Sequence, residues 1–204
     1  MNTGTDADQV AETAAALAPV YRLLGGLYLE PPTERSVRVI TEWCAAIDDE
    51  RESLPADLQN AFETVQAGST ADLDRVKGAF TELLQGVGFG PSPAPPYESL
   101  YVDGVLNGPS SSEVEAFYLE VGVELAVDDE LIDHAGYELM FLADLCDRKA
   151  LDAQLGFIRT HIGAWIEEFH DETTNYDSPM FYQGIFDLTE SLLEFHREAI
   201  EEER

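Results

Sequence analysis

The chain has 204 residues, 45% of them hydrophobic and 10% aromatic, enough length and apolar content for one sizeable folded domain and too much for a disordered segment. Its 41 acidic residues against 11 basic ones give a net charge of -30, which excludes a nucleic-acid binder, because that needs a basic stripe, and sets the chain against anionic membrane surfaces. No apolar run approaches the roughly 20 residues that span a bilayer, and the opening MNTGTDADQVAETAAA lacks the basic stretch of a secretory signal. Only Lys77 and Lys149 are lysines. Such an acidic, lysine-poor surface on a chain with an ordinary core fits a salt-rich cytoplasm. Self-repulsion on this scale strains a compact fold at low ionic strength and is screened at molar salt, where the Debye length falls to about 3 Å. A halophile's cytoplasmic protein is therefore expected. Cys44 and Cys146 sit in apolar helical patterns, which predicts buried free thiols.

In chain order, nearly every segment has a helical period. The first helix runs from about Asp6 to Leu29 with Leu17, Val20, Tyr21, Leu24, Leu27 and Tyr28 on one face. Pro19 is expected to kink or restart it, and Pro31-Pro32 ends it. A second helix spans Thr33 to about Ile47, and Pro55 opens a third that ends near Gly68. Ser69 or Thr70 is expected to cap a fourth, with Leu73, Val76, Phe80, Leu83 and Leu84 inward.

A loop rich in Gly and Pro then covers 86–96 and runs into PPYESLYVDG. The two prolines impose an extended approach, and the aromatics that follow are unusual for a connection. On residue types alone Tyr97 and Tyr101 are a plug on the core before they are the lip of a groove. Ser112-x-x-Glu115 reads as a capping box opening a helix with Val114, Phe117, Tyr118, Val121 and Leu125. After the acidic link at 128–130, the segment from Asp133 to Ala150 is apolar on several faces, as suits the central helix of a bundle. Asp133 is placed to cap it, with His134 beside it and Glu138 one turn on. A single helix is expected from about Asp152 to Phe169, and Ser178-Pro179 starts the last one. The sum is an all-α, single-domain helical bundle of about eight helices over 1–204, with no strands. The 86–96 loop is the only candidate hinge and could let the C-terminal helices exchange between two chains.

Few constellations point to catalysis. Glu167-x-x-His170 has di-iron spacing but no second pair exists, and it falls where its helix turns polar, so a solvated face is the better reading. Two cysteines and four histidines, all scattered, are too few for a zinc site. Phosphate-loop, nucleophile-elbow and dinucleotide-binding patterns are missing. No cofactor or metal is expected. A helical-bundle enzyme with a His and carboxylate metal site remains the alternative from another class. His161-x-x-x-Trp165 reads as core packing with a hydrogen-bonded imidazole.

PPYESLY, Phe117-Tyr118, Asp133-His134 with Glu138-Leu139-x-Phe141, Phe157-x-x-x-His161-x-x-x-Trp165 and Phe181-Tyr182 together resemble the TorD/DmsD family of cytoplasmic redox-enzyme maturation chaperones. With the charge, this points to a halophilic archaeon's version. The resemblance covers roughly Tyr21 to Glu198 and is weak before Pro91. It implies an all-helical chaperone without catalysis, monomeric or a domain-swapped dimer. Its partner would be the twin-arginine signal peptide and the body of an apo molybdenum enzyme, before export. A NarJ-like assembly factor for a nitrate reductase subunit is the nearest alternative. Carried onto this chain, the implied peptide site is Pro95, Pro96, Tyr97, Glu98, Ser99, Tyr101, Asp133, His134 and Glu138. Ile132 departs from relatives that commonly carry proline before the Asp-His pair.

The charge itself makes a prediction. Raising KCl from about 0.1 M to about 1 M shortens the Debye length from about 10 Å to about 3 Å. The melting temperature followed by circular dichroism should rise with it, and a flat or falling profile would count against salt adaptation.

Overall fold

The computed structural model describes residues 3–47, 53–85, 92, 94–123 and 131–203, with side chains from Gln9 onward. Among the described residues there are ten α-helices and no named strand. Helix α1 (Thr3–Leu29) is continuous through the exposed Pro19, so the helix does not restart there. Its buried stripe is the predicted one, Leu17 through Tyr28. Helix α2 (Glu34–Ala46) opens on a reciprocal cap: the Ser36 N–H donates to Thr33 Oγ1 at 3.1 Å, and the Thr33 N–H to Ser36 Oγ at 2.8 Å. Helix α3 (Ala56–Gly68) follows Pro55. Helix α4 (Leu73–Phe80) continues into a π-helical turn over Thr81–Gln85. Its cap is Asp72, which accepts the Asp74 N–H at 2.9 Å. The expected caps Ser69 and Thr70 instead donate their hydroxyls back to Gln66 and Ala67 carbonyls at the end of α3.

Next comes a short α5 (Glu98–Asp103), stopped by Gly104 in the left-handed region at φ 73°. Helix α6 (Pro109–Glu120) starts three residues before the expected Ser112. Asp103 takes over the capping, accepting the Ser110 N–H at 2.9 Å and its hydroxyl at 2.7 Å. The central α7 (Ala135–Asp147) buries residues on most of its circumference, as its all-round apolar pattern requires. The single helix expected from 152 to 169 is two, α8 (Leu151–Thr160) and α9 (Ile162–Thr173), broken at His161. Helix α10 (Met180–Glu202) closes the bundle. The break at His161 and the separate α5 account for the excess over the expected eight helices. Leu125, the 128–130 link and most of the proposed hinge, 86–91 and 93, lie outside the described residues.

Two close helix crossings organise the core. Helix α7 lies along α1, where a Cβ on Gly25 would sit 2.7 Å from the Gly136 carbonyl oxygen, and a Cβ on Gly136 equally close to that of Gly25. Helix α10 crosses α3 at Gly184, where a Cβ would meet the Val65 nitrogen at 2.6 Å. Polar ties cross the same core. His196 joins Tyr21 (3.1 Å) to Gln154 (3.0 Å), and Gln154 donates to the Leu145 carbonyl at 2.8 Å. His170, read from sequence as part of a polar face, is buried between the Tyr28 hydroxyl at 2.7 Å and the Glu190 carboxylate, while Glu167 is exposed. Cys44 and Cys146 are buried free thiols, both pushed up to about 12 by burial. No helix among the described residues is long and apolar enough to cross a membrane.

The crossings predict opposite effects for one substitution. Gly136→Ala and Gly184→Ala should each lower unfolding stability in a denaturant titration by about 1–3 kcal/mol through overpacking. Gly78→Ala, exposed on α4 with open space around its absent Cβ, should raise it by about 0.5–1 kcal/mol.

Candidate functional site

The prolines do what their rings dictate. Pro95 and Pro96 bring the chain extended into Tyr97, at φ -123° and ψ 128°. There the chain pairs with the start of α7 as an isolated antiparallel bridge between Tyr97 and His134. The Ala135 N–H donates to the Pro96 carbonyl at 2.9 Å, and the Glu98 N–H to the Asp133 carbonyl at 3.0 Å. The Tyr97 ring stands edge-on to the His134 imidazole, centroids 5.1 Å apart.

His134, not Asp133, caps α7: its Nδ1 accepts the Gly136 N–H at 3.0 Å. That bond needs an unprotonated Nδ1, and burial lowers the His134 pKa to about 3. Asp133 is released to fasten other elements. Its Oδ2 accepts the Ser99 N–H in the first turn of α5 at 2.9 Å, and its Oδ1 the Ser111 hydroxyl of α6 at 3.0 Å. It is 0% exposed.

Two further carboxyls lie alongside. Glu98 sits 3.1 Å from His161 Nδ1, a contact that ties α5 to the break between α8 and α9. Glu138 accepts the Trp165 indole N–H at 3.3 Å through Oε2, while its buried Oε1 has no hydrogen-bond partner. Burial raises both pKa values, that of Glu138 the more strongly, and each is raised further by charged acids around it. Tyr101 lies flat on Trp165 with ring centroids 5.4 Å apart, and edge-on to Phe169.

All nine sequence-predicted residues therefore meet in one joint between the α5 lip and the α7 start. Pro96, Glu98, Ser99, Asp133, His134 and Glu138 are buried, whereas Pro95, Tyr97 and Tyr101 are half-buried. The polar members of the joint that sequence reasoning left outside the site are Ser111, His161 and Trp165. The one-face spacing of His161 and Trp165 was a usable signal; that of Ser111 was not. Beyond the lip, Val102, Val105 and Leu106 are exposed at 54%, 55% and 46%. Cavities of about 660 Å³ and about 400 Å³ lie elsewhere, and none of the nine residues lines either. Among the described residues no group of three or more His, Cys, Asp or Glu side chains is arranged to hold a metal ion.

The family model described as nitrate reductase delta subunit matches residues 44–171, a span that contains the whole joint. The chain belongs to that family. Among curated relatives, chaperone protein TorD of Shewanella pealeana is 28% identical over 120 residues, 54% of each chain. TorD of Vibrio cholerae serotype O1 is 28% identical over 120 residues, 52% of this chain and 54% of its own. The chain thus spans about half the length of the curated relatives it matches. A crystal structure of a candidate redox enzyme maturation protein from Archaeoglobus fulgidus superposes with a TM-score of 0.56 at 19% identity, over 91% of this chain and 94% of that one. That likeness shows a shared fold.

The joint's titration has a definite sign. A carboxyl with a raised folded pKa favours the folded state below its ordinary range of about 4.3, and that stability is lost as pH rises through the folded value. Glu138→Gln keeps an oxygen for the Trp165 N–H and removes the charge. It should raise stability at pH above about 7 relative to the unsubstituted chain and flatten the decline on the alkaline side, read by denaturant unfolding at several pH values. A variant equal to the parent at every pH would mean that Glu138 pays no burial penalty.

Proposed function

We propose that this chain is a cytoplasmic maturation chaperone that binds the twin-arginine leader of an apo molybdenum redox enzyme and keeps that enzyme competent for cofactor insertion before export. The single observation that carries the reading is that the family match, over residues 44–171, encloses a joint made of the residues that the family resemblance implies. The TorD relatives at 28% identity support it. In this reading the lip is the leader site: Pro95, Pro96, Tyr97, Glu98, Ser99, Tyr101, Asp133, His134 and Glu138.

The division of labour follows from burial. Tyr97, Leu100 and Tyr101 present partly open surface to the leader's apolar segment, continued by the exposed Val102, Val105 and Leu106. The carboxylates Glu98, Asp133 and Glu138 suit guanidinium groups chemically. In the free chain they are enclosed and occupied by Ser99, Ser111, His161 and Trp165. Arginine contact with them therefore requires α5 to lift, so the aromatic lip meets the leader first. Assembly of a nitrate reductase subunit is the second reading, because the family itself is described as nitrate reductase delta subunit.

Tyr97→Ala should weaken a synthetic twin-arginine leader at least about tenfold at molar salt while helix content is kept. Asp133→Ala should weaken it too, but with a loss of stability, since two hydrogen bonds to a buried carboxylate are lost. Unchanged affinity in Tyr97→Ala would remove the lip from the site. Capture from native high-salt lysate should return a molybdenum enzyme bearing a leader; a leaderless nitrate reductase subunit would select the second reading.

A further inference from the structure

Helix α5, which carries the lip, is held in place mainly by polar contacts. Its buried residues are Glu98 and Ser99, whereas Leu100 and Tyr101 are half-buried and Val102 is exposed. A helix without a buried apolar stripe depends on hydrogen bonds and charges for its position. The Ser99 N–H goes to Asp133, and the Glu98 carboxyl meets His161. Opposite Glu98 stands Glu138 of α7, and the two carboxyls interact directly.

Donors are short at that contact. Asp133 has the Ser99 N–H and the Ser111 hydroxyl, Glu98 has His161 Nδ1, and Glu138 Oε2 has the Trp165 indole N–H. Nothing donates to the buried Glu138 Oε1. Tyr118 of α6 faces the same acids, but its buried hydroxyl makes no hydrogen bond. The charges felt most at Glu138 are those of Glu98 and Asp133, both acids. On α1, Tyr21 and Tyr28 feel Cys146 and Glu190 instead, and on α9 Glu168 and Glu172 face Tyr101. A proton on Glu138 Oε1 supplies the missing donor toward the Glu98 carboxylate and removes one of two like charges. Burial first and Glu98 next favour that neutral form of Glu138, while at Glu98 the effect of burial is partly offset by His161.

We propose that one proton shared between Glu98 and Glu138 latches α5 onto α7 and α9, and that its loss in mildly alkaline solution frees the lip. The latch is a regulation of the proposed leader site and takes its purpose from that reading. Release of α5 uncovers Trp165 and the enclosed carboxylates. In the released state Glu138 meets water and returns to the ordinary range of about 4.3. Closure is therefore favoured below that range and is lost as pH rises through the raised value of the closed joint. Other buried groups keep one form over the relevant range. Burial lowers the pKa of His134 to about 3 and of His196 to about 4, and lowers that of His170, so these imidazoles are neutral in alkaline solution. The Cys44 and Cys146 thiols, at about 12, keep their protons.

Trp43→Phe leaves Trp165 as the sole tryptophan, 2% exposed beneath Tyr101. Acrylamide quenching of its fluorescence at about 1 M KCl should rise severalfold between pH about 6.5 and about 9, with far-ultraviolet circular dichroism unchanged. Adding Glu138→Gln should keep quenching low across the range, because the amide gives Glu98 a donor at every pH. Adding Glu168→Gln with Glu172→Gln, which neutralises exposed acids beside Tyr101, should leave the rise in place. The infrared C=O stretch of an un-ionised carboxyl should be present at neutral pH and vanish with the midpoint of the quenching rise. That measurement decides should Glu138→Gln fail to fold. The proposal is overturned by flat quenching in the Trp43→Phe chain, by a Glu138→Gln profile that follows it, by loss of the rise in the α9 variant, or by a carboxyl band with a separate midpoint. None of these measurements contains a leader. A chain that opens with pH and binds no twin-arginine leader keeps the latch and loses the proposed function; one that binds the leader with flat quenching does the reverse.

Discussion

One buried carboxylate fastens the joint between α5, α6 and the start of α7. Asp133 takes the Ser99 N–H of α5 with one oxygen and the Ser111 hydroxyl of α6 with the other, while its backbone carbonyl accepts the N–H of Glu98, the first residue of α5. Three segments far apart in sequence are thereby tied at one point. An ionised carboxylate carried into a protein interior costs several kcal/mol unless its lone pairs are met. Here they are met by groups with fixed positions, a helix N-terminus among them, so the arrangement selects one geometry of the lip and disfavours near alternatives. Glu98 and Glu138 are less well provided for, and Glu138 keeps one oxygen unmatched. Burial raises both pKa values, and His161 draws that of Glu98 part of the way back. The joint thus combines one carboxylate that is firmly satisfied with two that are not.

How much of this was legible in sequence depended on the range of the interaction responsible. The stripe on α1, the all-round apolar α7 and the Pro-led α10 follow from local period and propensity, and the structure has them in place. The errors were losses of a local signal to a neighbour in space. Ser112 lost the α6 start to Asp103, which reaches Ser110 across a turn. Ser69 and Thr70 turned back to the end of α3 and left the α4 cap to Asp72. Asp133 yielded the α7 cap to His134 because α5 and α6 needed its oxygens. No periodicity foretells the break at His161. There the Glu98 carboxyl meets the imidazole, and Gly163 lets its backbone come so close to Ile158 that a Cβ would lie 2.5 Å from that carbonyl oxygen.

The same argument separates the lip from the groove of about 660 Å³ between α3, α9 and α10. The lip was legible because its residues cluster in two short motifs, 95–101 and 133–138, whose spacing resembles a known family. The groove was not, because its walls come from 55–61, 158–167 and 187–198, and each contribution reads as an ordinary amphipathic helix face until α3, α9 and α10 are set side by side.

Burial also decides which charges can act specifically. Screening by salt weakens interactions between exposed charges and barely touches enclosed ones. A chain with 41 acids on 204 residues gains little discrimination from any one surface carboxylate, since its neighbours carry the same sign. Discrimination has to come from acids placed where water and ions are restricted, as they are inside the joint. The interior acids are engaged by the protein itself, so in the proposed reading their part in recognition is to fix the position of Tyr97 and Tyr101. The lip therefore suits recognition by shape and aromatic packing more than by surface charge.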